Sequence, residues 1–151
     1  MCEVLFRGKP VKPIDPDTLP EYNKWVKDGW VYGYLIGKNV IVGEIIDFEE
    51  DYFNTEFWCG VKPETVGQYT GLNDKNDKKM FEDDIVRVKY RQNEIITCYV
   101  KFCTFGFYFI EQKYFNKNKM PDVILPLGIG EHEIIGDIHS NPELLRSETD
   151  A

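Results

Sequence analysis

The chain has 151 residues, 18 basic and 26 acidic side chains for a net charge of −8, and is 42% hydrophobic and 15% aromatic. That composition excludes a disordered chain, which is poor in aromatics, and a generic duplex binder, which carries a basic surface. No run approaches the roughly 20 consecutive apolar residues of a membrane-spanning helix, so the expectation is an aromatic-rich, mainly β protein of one or two small domains with chain enough for a real core.

The opening residues, Met1 to Arg7, lack the basic-then-apolar pattern of a secretory leader, which predicts the cytoplasm. Residues 3–7 alternate as a short strand. Pro10, Pro13, Pro16 and Pro20 then forbid both a helix interior and a central strand, so a surface loop is expected, with a helical turn near Glu21–Lys27. Gly29–Ile36 reads as a strand with Trp30, Tyr32 and Tyr34 on one face and Val31 and Leu35 on the other. Gly37-Lys38-Asn39 turns the chain, and Val40–Asp47 is expected to return as the hairpin partner.

From Glu44 to Glu56 there are six acids (Glu44, Asp47, Glu49, Glu50, Asp51 and Glu56) and no Lys or Arg, with Phe48, Tyr52, Phe53 and Phe57 interleaved. Two readings compete. In one, this is a solvated turn whose aromatics tuck into the core. In the other, Glu49, Glu50, Asp51, Tyr52 and Phe53 form an acidic and aromatic patch for a basic protein partner.

Gly67–Gly71 is extended, and the Asn- and Asp-rich stretch Leu72–Lys79 is a turn and the best boundary between two subdomains. Charge does not change sign across it: residues 1–71 carry 7 basic and 12 acidic groups, and residues 72–151 carry 11 and 14. Beyond it come short strands at Asp84–Tyr90, Glu94–Phe102, Phe107–Gln112, Val123–Leu125 and Glu133–Ile138. A lysine-rich loop (Lys113–Pro121) interrupts them, and Asn141-Pro142 starts a closing helical turn before a polar tail. So many short strands with glycine corners predict a small closed barrel, since closure removes exposed edges.

Five segments in order carry a family resemblance: Phe6-Arg7-Gly8, Trp30–Tyr34, Pro63–Leu72 with Asp74-Lys75-Asn76, Glu82–Val86, and Ile134–Ile138 followed by Asn141–Leu145. In these the chain resembles the YopX-like family of bacteriophage and prophage proteins. The resemblance implies a mainly β fold, with a small SH3-like β-barrel in the C-terminal part (72–141), an additional β-rich subdomain before it (1–71), and a short turn and tail (142–151). It implies phage or prophage origin and a bacterial cytoplasm. It carries no established activity, catalytic residue or cofactor. The family pattern has glycine where Asp77 and Asp83 stand, and Asp accepts a left-handed backbone less readily than glycine but better than most residues.

Candidate chemistry is sparse. Glu131, His132, Glu133, Asp137 and His139 are metal-capable, but alternation on a strand sends His132 away from its neighbours, so a solvated strand start is expected rather than a metal site. Glu82-Asp83-Asp84 offers adjacent carboxylates, expected to face water or cap the turn rather than act as an acid–base pair. Cys2, Cys59, Cys98 and Cys103 form no C-x2-C pair and are expected to be free thiols, with Cys98 and Cys103 on opposite faces of one strand. Gly128-Ile129-Gly130 has no helix to receive a phosphate. Trp30, Tyr32 and Tyr34, or Tyr114 and Phe115 among lysines, are conceivable base-stacking platforms, with core packing the preferred reading. The expectation is therefore a non-enzymatic accessory protein, without metal or cofactor, that binds an unidentified protein partner or itself. The alternative is a nucleic-acid-associated factor, or an acidic decoy of a host DNA-binding protein.

Overall fold

The computed structural model describes residues 3–15, 24–92, 94–104, 106–115, 125–128 and 130–146. The fold is mainly β, and its contacts divide the chain into two compact units, Met1–Tyr69 and Thr70–Ala151. Pro16, Pro20, Phe105, the 116–124 segment, the 147–151 tail and Cys2 lie outside the described residues.

In the first unit, antiparallel strands β1 (Phe6–Gly8), β3 (Trp30–Ile36), β4 (Val40–Val42), β7 (Trp58–Gly60) and the start of β8 (Gly67–Asn73) run in the order β7-β4-β3-β1-β8. The short β2 (Val26–Lys27) pairs with β3. The helical turn expected near Glu21–Lys27 is thus not formed over its described part, because Val26 pairs with Val31 and Lys27 with Trp30. The core beneath this sheet is Trp25, Val31, Ile41, Phe57 and Val61. The expected Val40–Asp47 strand breaks after Val42. Gly43 lies against the Trp25 indole, whose Cε2 would be 2.7 Å from a Cβ at that position. Residues 45–48 then leave as β5 (Ile45–Phe48), which pairs only with β6 (Phe53–Thr55) in a separate two-stranded hairpin.

In the second unit, the rest of β8 pairs with β9 (Lys79–Phe81), and Thr70 Oγ1 donates to the Met80 carbonyl at 2.8 Å. Strands β10 (Asp84–Tyr90), β11 (Glu94–Cys103), β12 (Gly106–Glu111), β13 (Leu125–Pro126) and β14 (Glu131–Asp137) form an antiparallel sheet in the order β13-β12-β11-β10-β14. The predicted alternation from Val86 onward is present: Val86 and Val88 are buried with Met80, Cys98, Val100 and Phe109, while Arg87 and Lys89 are exposed. The predicted closed barrel is not found, since among the described residues β13 and β14 end the order without pairing to each other. The closing turn Pro142–Leu145 is 3-10 rather than α, and the Asn141 side chain does not cap it. Asn141 Oδ1 accepts the Asp137 N–H at 3.3 Å instead. No helix among the described residues is long and apolar enough to cross a membrane.

Candidate functional site

The β5–β6 hairpin carries the sequence-predicted residues. Ile45 pairs with Thr55, Asp47 with Asn54 and Phe48 with Phe53, leaving Ile46 as a bulge. The bulge resets the alternation, so Ile45 and Phe48, three residues apart, share a face with Phe53. Strict alternation would have opposed them. Asn54 Nδ2 donates to Asp47 Oδ1 at 2.7 Å on the other face. At the tip, the Glu49 N–H donates to the Tyr52 carbonyl at 2.9 Å, closing the turn through Glu50 and Asp51.

The hairpin aromatics do not tuck into the core. Phe48 is 75% exposed and Tyr52 and Phe53 about half, whereas Phe57 is buried. Of thirteen exposed large hydrophobics among the described residues, eight lie between Tyr34 and Trp58, so apolar exposure is concentrated here rather than scattered. Full burial of such a side chain stabilises by roughly 1.5–3 kcal/mol, and the isolated chain forgoes much of that several times over. Contiguous exposed apolar surface of this kind marks an interaction site.

Two concavities flank the hairpin. One, of about 460 Å³, is lined by Tyr34, Ile36, Val42, Gly43, Glu44, Ile45 and Phe53. The other, of about 600 Å³, is lined by Ile45, Phe48, Glu49, Glu50, Asp51, Tyr52 and Phe53. Tyr34 and Ile36 reach the first because they alternate with Leu35 and face the side opposite Ile41. Sequence reading did not connect them to the acidic stretch, because the break at Gly43 that brings the segments together depends on Trp25. Lys24 pairs with Glu56 at 3.5 Å, and Trp25 Nε1 donates to Glu56 Oε1 at 2.8 Å. Among the described residues Glu44, Glu49, Glu50 and Asp51 make no ion pair.

The other candidates are placed as follows. Trp30 is buried, with the Arg7 guanidinium 4.2 Å and the Lys9 ammonium 4.9 Å from its ring centre, so its face is already occupied. Lys113 lies 5.1 Å from the Tyr114 ring centre. Glu131 and Glu133 both pair with Lys75, at 3.7 and 3.5 Å. His132 turns the other way, its ring 5.7 Å from that of Phe109 with both nitrogens buried, so it is not part of a solvated strand start. No three metal-capable side chains converge among the described residues. Cys59, Cys98 and Cys103 are free, and burial, helped by Glu111, pushes the Cys98 thiol up to about 12, far from a reactive thiolate.

Asp83 and Asp84 are buried rather than facing water. Asp84 does cap the turn, accepting the Phe81 N–H at 2.8 Å. Asp83 is a junction. Its N–H donates to Val100 and its carbonyl accepts from Ile138. Its carboxylate meets His139 Nε2 at 2.9 Å and Lys101 Nζ at 3.3 Å. Asp74, which the sequence placed in a polar turn and a family motif without a structural role, plays a similar part: it accepts the Asn76 and Lys78 N–H groups on Oδ1, both at 2.9 Å, and the Ile134 N–H on Oδ2 at 3.0 Å. Burial alone would raise its carboxyl, but these three donors outweigh burial and hold it below the usual carboxylate range. A group depressed below its unfolded value of about 3.9 contributes stability that is present above that pH and lost as pH falls through the folded value. Asp74→Asn is therefore expected to lower stability by about 2 kcal/mol, because its amide would present a donor to one of these donors. The variant should also lose part of the acid sensitivity of the native chain below about pH 4. Urea melts at pH 7 and pH 3 check this, and an unchanged difference between the two pH values would contradict it.

The family model of the YopX protein matches residues 22–146. The chain belongs to the YopX family. A crystal structure of protein EF1440 from Enterococcus faecalis is similar in fold, with 17% sequence identity and a TM-score of 0.51 over 97% of this chain and 100% of that one. No curated protein sequence matches the chain. Asp77 and Asp83, where the resemblance led us to expect glycine, adopt φ of +62° and +73°. Both positions are thus left-handed with an aspartate in place, and the Asp83 carboxylate is tied to two cationic-capable side chains.

Proposed function

We propose that this YopX-family chain is a non-catalytic, phage- or prophage-encoded accessory protein of the bacterial cytoplasm. It binds a protein partner through the β5–β6 hairpin, with Glu49, Glu50, Asp51, Tyr52 and Phe53 in the contact. The observation that carries this is the hairpin itself: a two-stranded projection with its aromatics exposed and its acids unpaired by the rest of the described chain. A solvated turn would not maintain Phe48, Tyr52 and Phe53 in water at that cost. The β10–β14 sheet is read as an SH3-like scaffold that is open between β13 and β14 among the described residues. The non-catalytic part of the proposal is supported by the structural contacts of Asp74, Asp83, Asp84, Glu131, Glu133 and His139 and by the burial of Cys98. The nucleic-acid alternative has less support, because Trp30 is covered by Arg7 and the exposed aromatics stand among acids that repel phosphate.

Charge reversal at the tip (E49K, E50K and D51K together) leaves the fold intact, since all three side chains are exposed. It is expected to remove the protein partner captured from host lysate by the native chain and to leave melting unchanged within about 0.5 kcal/mol. An identical set of captured proteins from both chains would end the hairpin's role.

A further inference from the structure

The two concavities share Ile45 and Phe53, so they form one surface, apolar at the Tyr34 end and acidic at the tip. We infer that this surface takes an extended partner segment that inserts one apolar side chain between Tyr34 and Phe53 and carries lysines or arginines alongside Glu49, Glu50 and Asp51. The inference rests on the hairpin being the binding surface and names the chemistry of its occupant.

The groove of about 460 Å³ lies within the range of pockets that enclose small ligands. Its lining is aliphatic and aromatic except for Glu44. An aromatic or long aliphatic anchor there removes the exposed faces of Tyr34, Ile36, Ile45 and Phe53 from water together, which is the geometry of a binding hot spot. The remaining surface sets the charge of what flanks that anchor. No Lys or Arg occurs between Lys38 and Lys62, so the chain itself offers no cation along this stretch, and the partner must supply it. A second copy of the chain is a poor occupant. An isologous contact would oppose two base-free acidic tips, on molecules that each carry −8.

Fluorescence anisotropy with a labelled heptapeptide tests the chemistry directly. The probe holds a central phenylalanine, a glycine on either side of it, and two lysines at each end. The native chain is expected to bind it saturably below about 1 mM. Glycine in place of the phenylalanine weakens binding roughly tenfold, as does Phe53→Ala in the protein, where the side chain is 50% exposed and its loss spares the core. A glutamate version of the probe does not bind, and raising salt from about 0.05 to 0.5 M weakens the lysine probe several-fold. Binding that ignores the phenylalanine, or no binding at all, overturns the inference. If the charge-reversed hairpin still loses its captured protein in that case, the surface reading survives and only the occupant's chemistry is wrong. A solution mass of twice 17.7 kDa that falls to one copy on Phe53→Ala also overturns it, in favour of self-association.

Discussion

Gly33→Ala is expected to destabilise the first unit by roughly 3 kcal/mol or more. A Cβ on Gly33 would sit 2.3 Å from the Val42 carbonyl oxygen and 2.9 Å from Ile41 Cγ2. The first is backbone in the neighbouring strand and the second is a fully buried core side chain, so neither can yield cheaply. β3 is also held on its other side, where Gly33 pairs with Phe6. Gly37→Ala is the control. Gly37 has φ of +63° but open space around it, so only the backbone cost of about 1 kcal/mol applies. All three tryptophans, Trp25, Trp30 and Trp58, lie in the first unit, so indole fluorescence during denaturation reports that unit alone. Equal losses for the two variants would show that crowding at Gly33 is not what makes glycine necessary there.

Asp83 is the second position with a large expected effect, and the size of the loss depends on the replacement. Asp83→Ala removes the carboxylate that meets His139 and Lys101 and leaves a β-carbon at φ of +73° with no local bonding to offset it. A loss of about 3 kcal/mol is expected, a charge-assisted bond being worth about 1.5–3 kcal/mol. Asp83→Gly loses the same bonds but relaxes the backbone by about 1 kcal/mol, so it should be the milder change. Burial by itself would raise the Asp83 carboxyl, but the His139 hydrogen bond and the Lys101 charge hold it below the usual range. Its contribution is therefore present above about pH 4 and fades as the solution is acidified through the folded value. Urea midpoints followed by far-UV circular dichroism measure the series. Alanine and glycine variants of equal stability would mean that Asp83 is not under backbone strain.

The carboxylates at 83 and 74 show where sequence reading stops. Acids beside a turn ordinarily face water, and nothing local marks one as buried. What buries Asp83 is the arrival of Val100, Lys101, Ile138 and His139 from elements far along the chain. Asp74 likewise needs the Ile134 N–H, sixty residues away. The strands were far more legible, because alternation is a local property: Val86 and Val88 against Arg87 and Lys89 declare a face without reference to any partner. The Val40–Asp47 strand failed for the same reason in reverse. Its apolar run continues across Gly43, and only the Trp25 ring lying there explains why pairing changes from β3 to β6.

By itself, then, the sequence determined the mainly β character, the family, the left-handed positions at Asp77 and Asp83, and the dense base-free acidic stretch from Glu44 to Glu56, because periodicity, motif order and charge are written along the chain. The tertiary structure decided which of those features face water. It turned the 45–55 segment outward as a hairpin, left Phe48, Tyr52 and Phe53 exposed, and set Tyr34 and Ile36 beside them. Exposure depends on what packs from a distance, and no local pattern of apolar and acidic residues distinguishes a tucked turn from a presented one.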